Sequence, residues 1–150
     1  MKNKSTIECA LLSHRDQFFL TPLLSLWHII IKEEKSFSSL SATIGRINWQ
    51  TCLLPVVAMD LGCLPAPSVA NIAIFRTFFK HYPSLSAVAV MCEGKFIRVK
   101  LHASDLQWVD NNKQLAWLKN PVFNGEVTLL DPVFFSKKIE EFLLSVHYSH

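Results

Sequence analysis

Residues 64–101, LPAPSVANIAIFRTFFKHYPSLSAVAVMCEGKFIRVKL, carry two proline-marked boundaries and two different hydrophobic periods. Pro67 has the fixed φ that suits a first helical position, and Pro83 disfavours helix at the residue before it. Between them the apolar residues recur at about 100° per residue, and the polar ones take the opposite side. The pattern predicts a core-facing helix between the two prolines, with this apolar stripe: Ile72, Phe75, Phe78, Phe79 and Tyr82.

After Pro83 the period changes to two. Residues 96–101 alternate between the apolar Ile97, Val99 and Leu101 and a second, mostly polar set, whereas residues 85–92 are apolar on both faces. Glu93-Gly94 separates the two stretches, so the pattern predicts a two-strand hairpin hinged there. The first strand would be central and covered on both sides, or covered on one side and used for binding on the other.

The residues before this stretch are interpreted as helix followed by extended structure. Residues 6–20 have a helical rhythm, and residues 23–31 favour a helix, with a buried strand as the alternative because the β-branched run is short. Residues 43–58 predict two short strands or one broken strand. Pro55 is expected at an edge or bend, because it cannot donate a ladder hydrogen bond.

The residues after the stretch predict a helical turn at 113–118, a strand at 123–130 and a closing helix. Asp131 can cap that helix and Pro132 suits its first position. Its apolar stripe is Phe135, Ile139, Phe142, Leu143 and Val146. The order of elements predicts an α+β fold, with a mainly antiparallel sheet and packed helices, as a single domain over residues 1–150 with residues 1–5 flexible.

The composition favours a protein-binding role. Half of the 150 residues are apolar and only 18% are charged, which is a high apolar share for a chain of this size. The apolar stretch at residues 20–31 is interrupted by polar residues and is shorter than the roughly 20 residues that span a membrane. The first residues lack the apolar core of a signal peptide, so we expect a cytoplasmic protein whose surplus apolar surface meets another protein.

Cysteine spacing and charge exclude several site classes. Cys9, Cys52, Cys63 and Cys92 lie far apart, and free thiols are favoured over two disulfides. The net charge is +3 with scattered lysines, which argues against a nucleic-acid partner. The four glycines are isolated, so no phosphate-binding loop is predicted.

Catalytic and metal sites are weakly indicated. His81 with Cys92, and Cys52 with Cys63, are incomplete ligand sets, so we predict no metal and no cofactor. Residues 13–16 (Ser-His-Arg-Asp) have the letters of a hydrolase triad, but neighbours on a helix point in different directions. Cys92 and His102 would face each other across the predicted hairpin as thiol and base; a buried thiol and a surface imidazole are favoured, and no enzyme is predicted.

The large aromatic residues carry the prediction of a binding surface. Together they exceed what one small core absorbs, and tryptophan and phenylalanine are favoured anchors at protein interfaces. The predicted partner-binding residues are Phe18, Phe19, Trp27, Trp108, Trp117 and Phe134.

The central stretch resembles a known family. Leu64-Pro65-x-Pro67, the predicted apolar helix, His81-Tyr82-Pro83 and the short hairpin resemble the SpiC/SepD family, small cytoplasmic proteins of type III secretion systems in Gram-negative pathogens. The match covers roughly residues 43–147, although the family usually has His-Pro where this chain has His81-Tyr82-Pro83.

The resemblance implies a non-enzymatic role in secretion control. Members of the family act with a gatekeeper protein and a small chaperone-like protein at the export apparatus, holding back effectors while translocators are secreted. Peripheral association with that apparatus would follow. The alternative is a class I type III secretion chaperone, a homodimer that binds an effector segment; such chaperones are usually acidic, whereas this chain is basic.

Overall fold

The computed structural model describes residues 5–31 and 37–149, with only the backbone for residues 27–31. These residues form twelve strands, three short 3-10 turns and one α-helix. The strands are β1 (Thr6–His14), β2 (Gln17–Pro22), β3 (Leu26–Ile31), β4 (Ser38–Ser39), β5 (Ile44–Trp49), β6 (Cys52–Ala58), β7 (Asn71–Arg76), β8 (Ala87–Cys92), β9 (Phe96–His102), β10 (Leu106–Trp108), β11 (Leu115–Asn120) and β12 (Phe123–Leu129); the helix is α1 (Pro132–Ser145).

The strands form two six-stranded sheets. Sheet A has the order β10-β11-β12-β2-β1-β9, and sheet B has the order β3-β7-β8-β6-β5-β4. Most neighbours are antiparallel, but β12 runs parallel to β2, and β6 runs parallel to β8. Sheet B is made from one stretch of chain, β3 to β8, that lies between β2 and β9 of sheet A. The chain therefore leaves sheet A, completes sheet B and returns.

Strand β1 separates two hydrophobic cores. Because successive side chains of a strand point to opposite faces, Cys9 and Leu11 enter the core inside sheet A, whereas Ala10 and Leu12 enter the larger core. The larger core also contains the buried residues of sheet B and the apolar stripe of α1. This two-sided burial makes β1 the wall that the cores share.

The closing helix was predicted correctly. Asp131 accepts hydrogen bonds from the backbone N–H groups of Val133 and Phe134 at 2.9 and 3.2 Å, and Pro132 occupies the first turn. Phe135, Ile139 and Leu143 lie in the larger core, where the Phe135 ring meets Phe75 edge-on at 5.3 Å between centroids. Among the described residues, no helix is both long and apolar enough to cross a membrane.

The predicted α+β class with a mainly antiparallel sheet and packed helices is wrong. The described residues are mainly β, in two mixed sheets with one α-helix. Residues 6–20 form most of the β1–β2 hairpin, and residues 26–31 form β3, the alternative considered for that run. A strand that is buried on both faces has apolar residues at nearly every position, and such a run also matches a helical period.

The central helix is also wrong. Pro67–Val69 forms a 3-10 turn, Asn71–Arg76 forms β7, and residues 77–86 form a connection to β8. The backbone N–H groups of that connection bond to side chains of α1: Phe78 donates to Ser136 Oγ, and Lys80 and His81 donate to a carboxylate oxygen of Glu140. These long-range partners replace the helical hydrogen bonds that the local pattern predicts.

The predicted hairpin at Glu93-Gly94 is a crossover between sheets. β8 pairs with β7 and β6 in sheet B, whereas β9 pairs with β1 in sheet A. Gly94 is needed because a Cβ at this position would lie 2.7 Å from the carbonyl oxygen of Ser13. The two strands themselves were located correctly, and β8 is central and covered on both faces.

Of the remaining predictions, the strands were located correctly and one helical turn was not. Residues 43–58 contain two paired strands as predicted, β5 and β6, and residues 123–130 contain β12. The expectation that Pro55 lies at an edge or bend is wrong, because Pro55 is inside β6, which has β5 and β8 as neighbours; it lies opposite Arg46, and the pairing with β8 begins at the next residue. The helical turn predicted at 113–118 is wrong, because residues 115–120 form β11.

Candidate protein-interaction surface

The β10–β11 ribbon at one edge of sheet A exposes two tryptophans. Trp108 lies opposite Ala116, and Trp117 lies opposite Gln107. Directly opposed residues of antiparallel strands share a face, so the two indoles lie on different faces of the ribbon. Trp108 is 42% exposed and Trp117 is 46% exposed. We call Trp108 and Trp117 with their two strands the tryptophan ribbon.

The rest of the ribbon explains why Trp117 is exposed, whereas Trp108 shares the strand face of Ala116 and is exposed at the end of the edge strand. Ala116 and Leu118 are fully buried in the sheet A core, so Trp117 between them must face outward. β10 pairs only with β11, which leaves its other side without a strand among the described residues. A rigid strand pair thus holds two large anchors at the surface.

Phe134 is a third exposed aromatic side chain. It lies in the first turn of α1, is 50% exposed, and has the Lys138 ammonium 5.2 Å from its ring centroid. The ring lines two hollows: a cavity of about 570 Å³ at the end of sheet A, which we call the sheet A cavity, and a hollow of about 320 Å³ beside Met59 and Asp60.

The other predicted partner-binding aromatics lie elsewhere. Phe19 is buried in the larger core, and Phe18 packs on Phe123 with 4.7 Å between ring centroids. Trp27 lies on β3, and its side chain is outside the described residues. Phe134 and Leu106 of β10 therefore line one cavity, whereas Phe19 serves packing.

The sheet A cavity has an apolar floor and one polar wall. Its floor and sides include Leu20, Leu101, Leu106 and Leu129, and its polar residues include Thr21 and the segment 112–114. Thr21 lies opposite Ala10, so its side chain is on the strand face of the larger core; it is 1% exposed, and its hydroxyl has no hydrogen-bond partner among the described residues. Sequence reasoning missed this cavity, because its residues come from five separate segments and show no common motif.

The polar wall is held in place by hydrogen bonds. Asp110 Oδ1 accepts from the backbone N–H groups of Gln114 and Leu115 at 3.1 Å, and the carbonyl of Gln114 accepts from the N–H of Leu129 at 2.7 Å. Lys113 stands in this wall with a left-handed φ of 55°. The backbone next to Lys113 is therefore held by Asp110 on one side and by Leu129 of β12 on the other.

A charged cluster joins sheet A to sheet B at the end of β1. His14 is buried, and its Nδ1 accepts a hydrogen bond of 2.9 Å from the Glu93 N–H, so Nε2 carries the proton of the neutral ring. Nε2 lies 3.5 Å from Asp60 Oδ1, and Arg15 contacts Asp60 at 3.2 Å and Glu93 at 3.3 Å. Burial lowers the pKa of His14, and this outweighs the opposing effect of Asp60.

This cluster differs from the triad letters at residues 13–16. The carboxylate near His14 belongs to Asp60, not to Asp16. Ser13 Oγ accepts a hydrogen bond from the Lys95 N–H at 2.6 Å and is thereby committed to the crossover. The arrangement binds two sheets together, and its hydrogen bonds supply no activated nucleophile.

The cysteines and histidines do not assemble a reactive or metal-binding group in the described ranges. Burial raises the pKa of Cys92 to about 12, and burial together with Glu8 raises the pKa of Cys9, so both thiols stay protonated at neutral pH. Cys92 ends β8 in sheet B, whereas His102 ends β9 in sheet A, so they do not face each other as predicted. All four cysteines are free thiols, and residues 5–31 and 37–149 contain no cluster of metal ligands.

The comparisons with known proteins bear on the fold. No family model matches the chain, and no curated protein matches it. The chain is similar to a solved structure described as the crystal structure of scaffolding protein TtCheW from Thermoanaerobacter tengcongensis, with a TM-score of 0.59 and 10% sequence identity over 89% of each chain. At this identity the likeness shows the fold alone, and that fold is the CheW-like arrangement of SH3-like barrels.

Proposed function

We propose that this chain is a protein-binding scaffold module that recognises its partner through the tryptophan ribbon. The observation that carries the proposal is the pair of half-exposed tryptophans, Trp108 and Trp117, on a strand pair at the edge of sheet A. Tryptophan is among the side chains that contribute most to binding energy at interfaces. The neighbouring structure is described as a scaffolding protein, which agrees with a binding role.

The finer proposal is that this binding serves secretion control. It rests on the sequence resemblance to the SpiC/SepD family, in which a gatekeeper protein and a small chaperone-like protein are the partners. The fold adds no support for this role, because the segment quoted for the resemblance contains no α-helix. A class I chaperone that binds an effector segment as a homodimer is the alternative outcome.

The test begins with identification of the partner. A photo-crosslinking residue at Lys119, which lies on the exposed face of β11 with Trp117, should capture the protein that covers the ribbon in the native cell. Binding of the purified partner is then measured for the wild type and for Trp108→Ala and Trp117→Ala. At least one substitution should weaken binding by about 2 kcal/mol, which is the usual effect of truncating an interface tryptophan.

Leu53→Ala is the matched control, because Leu53 is 39% exposed but lies on sheet B. Circular dichroism checks that every variant is folded. Equal affinity of the wild type and both tryptophan variants for the captured partner would overturn the proposal. Light scattering of the chain alone, and mixed with gatekeeper proteins of the same genome, tests the finer role: a homodimer that ignores gatekeepers would favour the chaperone.

A further inference from the structure

The outer face of β11 and β12 places an indole directly beside a carboxylate. Trp117 on β11 lies opposite Glu126 on β12, and directly opposed residues of antiparallel strands share a face, with Cβ atoms about 4.5–5.5 Å apart. Both side chains are exposed, because their neighbours Ala116, Leu118 and Val127 enter the sheet A core. The register of two paired strands therefore fixes the indole and the carboxylate side by side.

Neither side chain of this pair has a charged partner within the described part of the chain. Glu126 forms no ion pair there, and no cation lies over the Trp117 ring. On the other side of Trp117 the opposed residue is the neutral Gln107. Lys119 lies on the same face but opposite Asn124, one residue pair of this face further along, and forms no ion pair with Glu126. A cation from another molecule can therefore reach both groups.

Arginine is the side chain that matches both groups. Its planar guanidinium stacks on aromatic rings and can form two parallel hydrogen bonds with one carboxylate, whereas lysine presents a point charge. Tryptophan is also the aromatic side chain that attracts a cation most strongly. An acidic group of a partner is disfavoured beside Trp117, because Glu126 would repel it.

We propose that the partner presents an arginine to the Trp117–Glu126 pair, with the guanidinium stacked on the indole and hydrogen-bonded to the carboxylate. This inference rests on the proposed function, because it names the chemistry of the partner that covers the tryptophan ribbon. Trp117 supplies the contact area, and Glu126 sets the specificity for a positive charge.

The first test needs no partner. The probe is N-acetyl-arginine amide, and N-acetyl-citrulline amide is the matched molecule, because citrulline keeps the planar end group but is neutral. In NMR titrations of the purified chain at constant ionic strength, the Trp117 indole N–H and Glu126 amide signals should shift with the arginine probe. The citrulline probe at equal concentration should give shifts about threefold smaller.

Glu126→Gln should remove most of the difference between the two probes, because the amide keeps the side-chain shape without the charge. Glu141→Gln is the matched control, since it removes an exposed carboxylate from α1 and changes the net charge equally. It should leave the difference unchanged. Equal shifts of the Trp117 and Glu126 signals with both probes would overturn the inference.

The second test uses the partner captured at the ribbon. Glu126→Gln should weaken its binding about tenfold, whereas Glu141→Gln should not weaken it. The loss should become small once the contacting arginine of the partner is replaced by glutamine, because the two substitutions remove the same interaction. If Trp117→Ala weakens binding but Glu126→Gln does not, the inference is wrong and the proposed function stands.

Discussion

His14 is held neutral where β1 meets the crossover between the sheets. Its Nδ1 accepts from the Glu93 N–H, and protonation of that nitrogen would remove the bond. Asp60, Arg15 and Glu93 are the charged groups that face the ring. Burial is the largest effect, and the pKa of His14 lies below its ordinary value of 6.5.

This lowered pKa predicts a loss of stability in acid. Below about pH 6.5 the unfolded chain binds a proton at His14 that the folded chain does not, so the free energy of unfolding falls as the pH falls. The slope from this one group is at most about 1.4 kcal/mol per pH unit, and it ends below the folded-state pKa. Above pH 6.5 His14 is neutral in both the folded and the unfolded chain, so its titration no longer lowers the free energy of unfolding.

His14→Gln tests this prediction, because glutamine can make similar hydrogen bonds without titrating. Urea unfolding of the wild type and the variant from pH 7.5 to 5.0 should show the gap in unfolding free energy changing in favour of the variant as the pH falls. Leu53→Ala, which removes an exposed side chain that does not titrate, should keep a constant gap to the wild type. A constant gap for His14→Gln as well would show that His14 does not set the acid response.

The aromatic residues predicted to bind a partner differ in their exposure. Trp108, Trp117 and Phe134 are exposed, as a binding role requires, but Phe19 is in the core. Composition shows that the chain has surplus aromatic surface, whereas the choice of residue depends on which strand face is covered. That choice follows from the pairing of β11 with β12, which no local pattern reveals.

Among the elements, the segment from Pro67 to Pro83 shows why local pattern reasoning failed. β7 is buried on both sides at Ile72 to Phe75, and the connection that follows contains Phe78 and Phe79, so the apolar residues repeat as they would in a helix. Strand pairing with β3 and β8 decides the outcome. α1 was predictable because its cap, its first-turn proline and its stripe are all local.

Glu140 is the element-scale contact that holds the β7–β8 connection on α1. It is 6% exposed, and one of its oxygens accepts from the N–H groups of Lys80 and His81. Hydrogen bonds to a charged group contribute about 1.5–3 kcal/mol each. Part of this is recovered when the carboxylate is removed, because water can bond to the freed N–H groups of a surface loop. We therefore expect Glu140→Ala to lower the free energy of unfolding by about 2 kcal/mol.

The local signature is hydrogen exchange at the amides of Lys80 and His81, which should become much faster in Glu140→Ala than in the wild type. Glu141→Ala is the matched control, because Glu141 is the next residue of the same helix and is exposed. It should change stability by less than about 0.5 kcal/mol. Protected amides in Glu140→Ala would mean that packing, not this carboxylate, orders the connection.

For the whole molecule, the position of β1 predicts that both sheets unfold together. Leu11 supports the core of sheet A, and Leu12 supports the core that sheet B shares with α1, from adjacent positions of one strand. The crossover adds a second tie, because Arg15 donates its backbone N–H to Glu93 and Asn71 donates to the carbonyl of Gly94. Loss of β1 from one core removes it from the other.

Tryptophan fluorescence can report each sheet separately. Replacing Trp108 and Trp117 by Phe leaves Trp27 on β3 and Trp49 on β5 as reporters of sheet B. Replacing Trp27 and Trp49 by Phe instead leaves Trp108 and Trp117 as reporters of sheet A. When Leu11→Ala is introduced into each background, the two reporters should give the same denaturant midpoint, and both midpoints should be lower than without the substitution. The free energy of unfolding should fall by about 2–5 kcal/mol, as for other buried leucines. Leu11 belongs to the sheet A core, so its substitution can lower the midpoint of sheet B only if the shared strand β1 couples the two sheets. A midpoint that falls only for the sheet A reporter would therefore show that the two sheets unfold independently.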